Sequence, residues 1–161
     1  MGCGKSTIGK ELALKFNLTF LDTDIYIEEN EGCPITEIFA QKGEQYFREL
    51  ETGLLQDMIN ENYQGKAKII SVGGGLPIRE ENRKLLKEIG QVIYLKARPE
   101  TLYERLKGDT TRPLLQTANP QERIREMLVE REAKYQAAAE KVIEVDGKQI
   151  EEIVEEISGM L

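Results

Sequence analysis

The sequence predicts an α/β protein, a three-layer sandwich in which helices cover both faces of a parallel sheet. Three observations carry this. Short apolar runs alternate with helical patterns along all 161 residues. No hairpin turn signal joins one run to the next, so the crossovers are helical and the strands parallel. The runs stop at residues that bend or bind: Asp22, Gly73-Gly74-Gly75 and the loop region after Leu95, the carboxyl ends where such sheets hold ligands.

Ile8, Leu12, Ala13 and Phe16 share one face of a helix starting near Lys5. Thr19-Phe20-Leu21 reads as a buried strand ending at Asp22. A polar helix with Ile25 and Ile27 follows and stops at Gly32. Pro34 suits a first helical position, Ile35, Ile38 and Phe39 give that helix its apolar side, and Gly43 ends it. Residues 44–62 read as a long helix through Phe47, Leu50, Leu54, Leu55 and Met58. Ala67–Val72 is a strand stopped by the triple glycine, and residues 79–89 are helical. Val92–Leu95 is a strand, and Pro99 opens the next helix. Residues 108–119 carry Gly, Asp, Thr and Pro with weak periodicity and read as a mobile loop. Asn119-Pro120 caps a helix running to about Ala139. Val142–Val145 is a last strand and residues 148–159 a last helix.

The length fits one domain, residues 1–161, able to bury a core. No histidine is present, which removes histidine catalysis and histidine metal sites. A net charge of −7 argues against a nucleic-acid surface. No apolar run approaches a membrane span of about 20 residues, and no secretion signal opens the chain. Cys3 and Cys33 make no disulfide framework and read as reduced, which points to the cytoplasm.

Gly2-Cys3-Gly4-Lys5-Ser6-Thr7 ends as a phosphate-binding loop of the form G-x-x-x-x-G-K-[ST] and runs into a helix. Backbone N–H groups of such a turn converge on phosphate oxygens, and the helix dipole adds to this. The lysine reaches terminal phosphates and the hydroxyl of Ser6 coordinates magnesium. Cys3 reads as a small filler residue, although a thiol near a helix amino terminus is activated. Asp22-Thr23-Asp24 ends a strand. One aspartate can cap the next helix, and a second can orient a hydroxyl or accept its proton. Arg48 and Glu51 lie one turn apart on a helix, a spacing that is common and weak at a surface. Arg48 also follows Phe47, which can brace a guanidinium aimed at a carboxylate. The triple glycine lets backbone approach a ligand. Arg112, in the loop, can be delivered to a transferring phosphoryl group. Arg131 and Tyr135 form an Arg–Tyr pair one helical turn apart.

Taken in order, GxGKST at 2–7, DTD at 22–24, GExxFRxxE at 43–51, GGG at 73–75, RPLL at 112–115 and RExxY at 131–135 resemble the shikimate kinase family. The resemblance covers the chain from residue 1 to its last strand. It implies a P-loop kinase fold with strand order 2-3-1-4-5, a shikimate-binding region at about 24–62 and a lid at about 107–119. It further implies transfer of the ATP γ-phosphoryl group to the shikimate 3-hydroxyl, with magnesium, in a cytoplasmic monomer whose partner is a small molecule. Gly2, Cys3, Gly4, Lys5, Ser6 and Thr7 would hold ATP phosphates, with Lys5 on the β/γ oxygens. Ser6 and, through water, Asp22 would hold magnesium. Asp24 would bind shikimate hydroxyls and act as base or orienting group. Arg48 and Arg131 would grip the carboxylate, and Gly73, Gly74 and Gly75 would line the substrate. Arg112 would meet ATP phosphate, Arg105 would lie near adenine, and Lys148 falls at a weak base contact. The family carries a central strand and a first loop glycine ahead of the position of Gly2. The expectation is therefore a sheet with a gap in its middle. Restoring about ten upstream residues should raise stability and rate together. Two alternatives remain open: another small-molecule P-loop kinase, such as a gluconate kinase-like enzyme, and a non-catalytic nucleotide-binding module.

Overall fold

The computed structural model describes residues 2–60, 68–108 and 117–161. Their elements run α1 (Lys5–Phe16), β1 (Thr19–Asp22), α2 (Thr23–Glu31), α3 (Ile35–Asn60), β2 (Lys68–Ser71), a 3-10 turn (Leu76–Ile78), α4 (Glu80–Ile89), β3 (Ile93–Lys96), α5 (Pro99–Leu106), α6 (Pro120–Ala138), β4 (Lys141–Glu144) and α7 (Ile150–Ser158). They fall into two compact units, Ser6–Gln91 and Met1–Lys5 with Val92–Leu161. Most of the expected lid, including Arg112, lies outside the described residues.

In Ser6–Gln91, α1 buries Ile8, Leu12 and Ala13 as its periodicity requires. Phe16 does not join them and stays 38% exposed. The helix ends there because Asn17 takes a left-handed φ of 53°. Asn17 N–H then bonds Leu14 O, and Leu18 N–H bonds Ala13 O at 2.8 Å, closing a Schellman turn. Gly9 lets the helix press on β1, since a Cβ there would stand 2.6 Å from Phe20 Cε2. β1 pairs with β2 in parallel, Thr19 opposite Lys68 through Asp22 opposite Ser71. Gly32 caps α2 at a φ of 70°. α3 starts one residue after Pro34, whose carbonyl accepts from Glu37 and Ile38. Its two halves meet at Gly43, where φ 83° and ψ 167° break the helix as the sequence indicated. The second half buries Phe47, Leu54, Leu55 and Met58. Each such side chain contributes roughly 1.5–3 kcal/mol of apolar burial.

In the other unit β3 pairs with β4 in parallel, Ile93 opposite Lys141 through Lys96 opposite Glu144. β4 begins one residue earlier than expected, and Val145 N–H extends the ladder to Lys96 O at 2.9 Å. Asn119 caps α6 by accepting from Glu122 N–H at 3.2 Å, with Pro120 in the first turn. Gln149 and Glu152 cap α7 reciprocally. Leu102, Leu106, Ile124, Met127, Ile143, Val145, Ile153 and Ile157 are buried.

The described strands form two parallel pairs, β1–β2 and β3–β4, one in each unit. The strands are mostly half-buried, not fully buried as their apolar runs suggested. Among the described residues each strand has one strand neighbour. No helix among these residues is long and apolar enough to cross a membrane.

Candidate active site

The loop before α1 places Gly2 at φ 69° and Gly4 at φ 89°, conformations that other residues adopt at a cost. Gly2 packs on α5: a Cβ would stand 2.9 Å from Leu106 Cδ1, and Arg105 Nη1 reaches Gly2 O at 3.5 Å. Cys3 is a buried free thiol, which fits its reading as filler. Lys5 and Ser6 open α1, so their N–H groups and the positive end of the helix dipole point back toward the loop.

Ser6 Oγ donates to Asp22 Oδ2 at 2.7 Å. The other oxygen, Oδ1, caps α2 by accepting from Asp24 N–H at 3.1 Å and Ile25 N–H at 3.5 Å. The cap of α2 is thus made by the first aspartate of the pair. A hydroxyl and a carboxylate side by side at a helix start suit magnesium. That hard cation takes oxygen ligands and usually needs only one or two from protein.

Asp24 stands against the triple glycine. A Cβ on Gly73 would lie 2.4 Å from Asp24 Oδ1 and 3.2 Å from Glu51 Oε1. Arg48 packs on the same turn: a Cβ on Gly75 would lie 2.2 Å from Arg48 Nη1. Only glycine admits both neighbours. The guanidinium bonds Glu51 Oε2 at 2.7 Å and Glu44 Oε1 at 3.0 Å, and lies 5.4 Å from the Phe47 ring. The Arg48–Glu51 pair is no surface pair, since the Glu51 side chain is 1% exposed. Its Oε1 is buried with no hydrogen-bond partner among the described residues. Burial pushes the Glu51 carboxyl above its ordinary pKa, with Asp24 adding to this and Arg48 and Arg79 opposing.

A second layer was not legible in the motifs. Arg79 Nη1 donates to Arg48 O at 3.3 Å and to Thr52 Oγ1 at 3.4 Å. Thr52 Oγ1 donates to Asn82 Oδ1 at 2.8 Å, and Asn82 Nδ2 to Leu76 O at 2.9 Å. The turn after the glycines is thereby tied to α3. Asn82 is a polar residue in the helix expected at 79–89, and its residue type gave no hint of its burial.

In the other unit Arg131 lies half-buried on α6. Its neighbour Glu132 accepts from Tyr94 Oη at 2.9 Å and pairs with Lys96 at 2.9 Å. Tyr135 meets Tyr94 with ring centroids 5.3 Å apart. The Tyr94 hydroxyl is pushed well above its usual range by burial and by the Glu132 carboxylate. Lys148 pairs with Glu156 at 2.5 Å.

The family model described as shikimate kinase matches residues 1–161. The chain belongs to the shikimate kinase family. A shikimate kinase of Sulfurihydrogenibium sp. is 44% identical over 98% of this chain and 90% of its own. One from Geobacter metallireducens is 43% identical over 100% and 87%. Among solved structures, shikimate kinase from Acinetobacter baumannii in complex with shikimate superposes with a TM-score of 0.90 at 35% identity. That match covers 99% of this chain and 87% of the other. Membership makes the chain a small-molecule kinase and agrees with the α/β fold and its parallel strands.

Proposed function

We propose that the chain transfers the γ-phosphoryl group of ATP to the 3-hydroxyl of shikimate, with Asp24 and Arg48 at the substrate and Gly2–Ser6 at the phosphates. One observation carries the assignment of residues. Asp24 and Arg48 stand against Gly73 and Gly75 of a single backbone turn, so a carboxylate and a guanidinium face the same short stretch of N–H groups. Shikimate presents the complementary chemistry, one carboxylate and three hydroxyls.

Arg48 binds the carboxylate, a role that the family resemblance also assigns to Arg131. The planar guanidinium does this bidentately. Asp24 accepts the proton of a substrate hydroxyl or orients that hydroxyl for attack. Gly74 offers its backbone N–H to shikimate, a contact that the family resemblance implies. Gly2, Cys3, Gly4 and Thr7 lie along the phosphates, and Lys5 neutralises terminal oxygens. Phosphoryl transfer depends on such positioning and charge neutralisation more than on covalent chemistry. Ser6 and Asp22 hold magnesium, Asp22 through water. The cation, when bound, offsets phosphate charge as it shifts. Arg105 borders the base, and Lys148, which pairs with Glu156, is assigned a weak contact to it. Arg112 is assigned to ATP phosphate from the lid, outside the described residues. The protein is taken as a cytoplasmic monomer that binds neither nucleic acid nor membrane; its negative charge supports the absence of a nucleic-acid surface and its free cysteines the cytoplasm.

The test is coupled ADP release with shikimate against a panel of sugar acids, for the wild type and Asp24→Asn. Shikimate alone should drive turnover. Asp24→Asn should lose at least about a hundredfold in kcat, the range of a lost general base, while ATP still binds. Turnover on a sugar acid instead, or an unimpaired Asp24→Asn, overturns the reading.

A further inference from the structure

We infer that Thr23 is a positioning residue for substrate recognition: its side chain locks the triple-glycine turn against Asp24. The inference rests on the shikimate kinase reading of this site.

The ladder between β1 and β2 ends with Asp22 opposite Ser71. At Thr23 the chain turns into α2, and a helical carbonyl points along the helix axis. The Thr23 carbonyl can no longer accept from the neighbouring strand. Gly73 N–H would therefore be buried without a partner, a costly state. The side chain of Thr23 replaces the lost carbonyl: Gly73 N–H donates to Thr23 Oγ1 at 3.0 Å, in a buried bond. Thr23 is 0% exposed, so no water competes for that amide.

This bond fixes the peptide joining Val72 to Gly73. That peptide holds Gly73 so close to Asp24 that a Cβ would stand 2.4 Å from Oδ1. It also aims the next N–H groups of the turn, the ones that would meet substrate. Thr23 touches none of the reacting atoms. Its middle place between two aspartates with other tasks gives one tripeptide three jobs. Asp22 caps α2 and receives Ser6, Thr23 sets the turn, and Asp24 faces the ligand.

The test compares Thr23→Val, which keeps the shape and removes the acceptor, with Thr23→Ser, which keeps the acceptor. Thr23→Val should raise the shikimate KM about tenfold, the scale of one buried hydrogen bond. It should leave the ATP KM within about twofold, a change of no more than roughly 0.4 kcal/mol. Thr23→Ser should recover most of the loss. In the free protein, amide exchange at Gly73 should be slow in wild type and Thr23→Ser and fast in Thr23→Val. If Thr23→Val does not fold, Thr23→Ala is read the same way. An unchanged shikimate KM, an equal rise in both KM values, or failure of Thr23→Ser to rescue overturns the inference. If the wild type releases no ADP with shikimate, the functional reading fails instead. Gly73 exchange, measured without ligand, still decides whether Thr23 locks the turn.

Discussion

The two units bury different kinds of atoms. Thr23, Glu51, Thr52, Ser71 and Asn82 are buried polar or charged residues, and all lie in Ser6–Gln91. Among the described residues of Val92–Leu161 the buried set is apolar. The charges there pair at or near the surface, as Arg125–Glu100 and Lys148–Glu156 do. Burying a polar group costs about 1–3 kcal/mol unless its bonds are made, so stability alone does not call for it. The second unit holds together without it. Polar burial in the first unit therefore marks where atoms must be placed rather than merely packed, around Asp24, Arg48 and the glycine turn.

Removing Glu51 is the strongest way to break this comparison. Glu51→Ala takes a buried partner from Arg48, and such losses cost about 3–5 kcal/mol. Arg48 keeps Glu44, which favours the lower end of that range. The melting temperature should fall by roughly 6–12 °C, at 2–4 °C per kcal/mol for a chain of this size. Glu100→Ala, which removes an exposed partner from Arg125, should leave it unchanged within error. Equal melting temperatures for the two variants would dissolve the contrast between the units.

Much of the fold was readable because local rules and tertiary needs agree. The kink at Gly43, the Asn119-Pro120 start of α6 and the glycine stop of α2 all rest on backbone preferences that no neighbour overrides. Phe16 was misplaced because the left-handed turn at Asn17 ends the helix before its face is complete. The site was legible only in part. Asp24, Arg48 and the triple glycine announce themselves by residue type and position. The full burial of Glu51 does not, since its one-turn spacing from Arg48 is that of an ordinary surface pair. Thr52, Arg79 and Asn82 were invisible because they act through a tertiary contact between α3 and α4, which no local pattern encodes.

The glycines offer a finer cut within one unit. Gly75→Ala puts a methyl group 2.2 Å from Arg48 Nη1, so the guanidinium must move. Overpacking of this kind costs about 1–3 kcal/mol, and the shikimate KM should rise about tenfold or more through the displaced arginine. Gly53, inside α3, has nothing within 4 Å of its Cβ position. Gly53→Ala should stabilise by about 0.5–1 kcal/mol through helix propensity, with KM unchanged. If Gly75→Ala binds shikimate as wild type does, Arg48 does not depend on the glycine turn.

The smallest effect is a pH dependence, and its sign differs between the units. Burial raises the Glu51 pKa above the ordinary 4.5, so its ionised form is a cost that grows as pH rises through that region. Glu132 behaves oppositely. Although partial burial works against ionisation, bonds from Lys96 and Tyr94 prevail and hold its pKa below 4.5. Its contribution is complete above 4.5 and is lost as pH falls through the lowered folded value. Glu132→Gln removes that titration while keeping one acceptor for Tyr94 or Lys96. The melting temperature of wild type should therefore fall more between neutral pH and pH of about 3.5 than that of Glu132→Gln. Parallel acid limbs for the two proteins would show that the Tyr94–Glu132–Lys96 cluster does not tie α6 to β3 through charge.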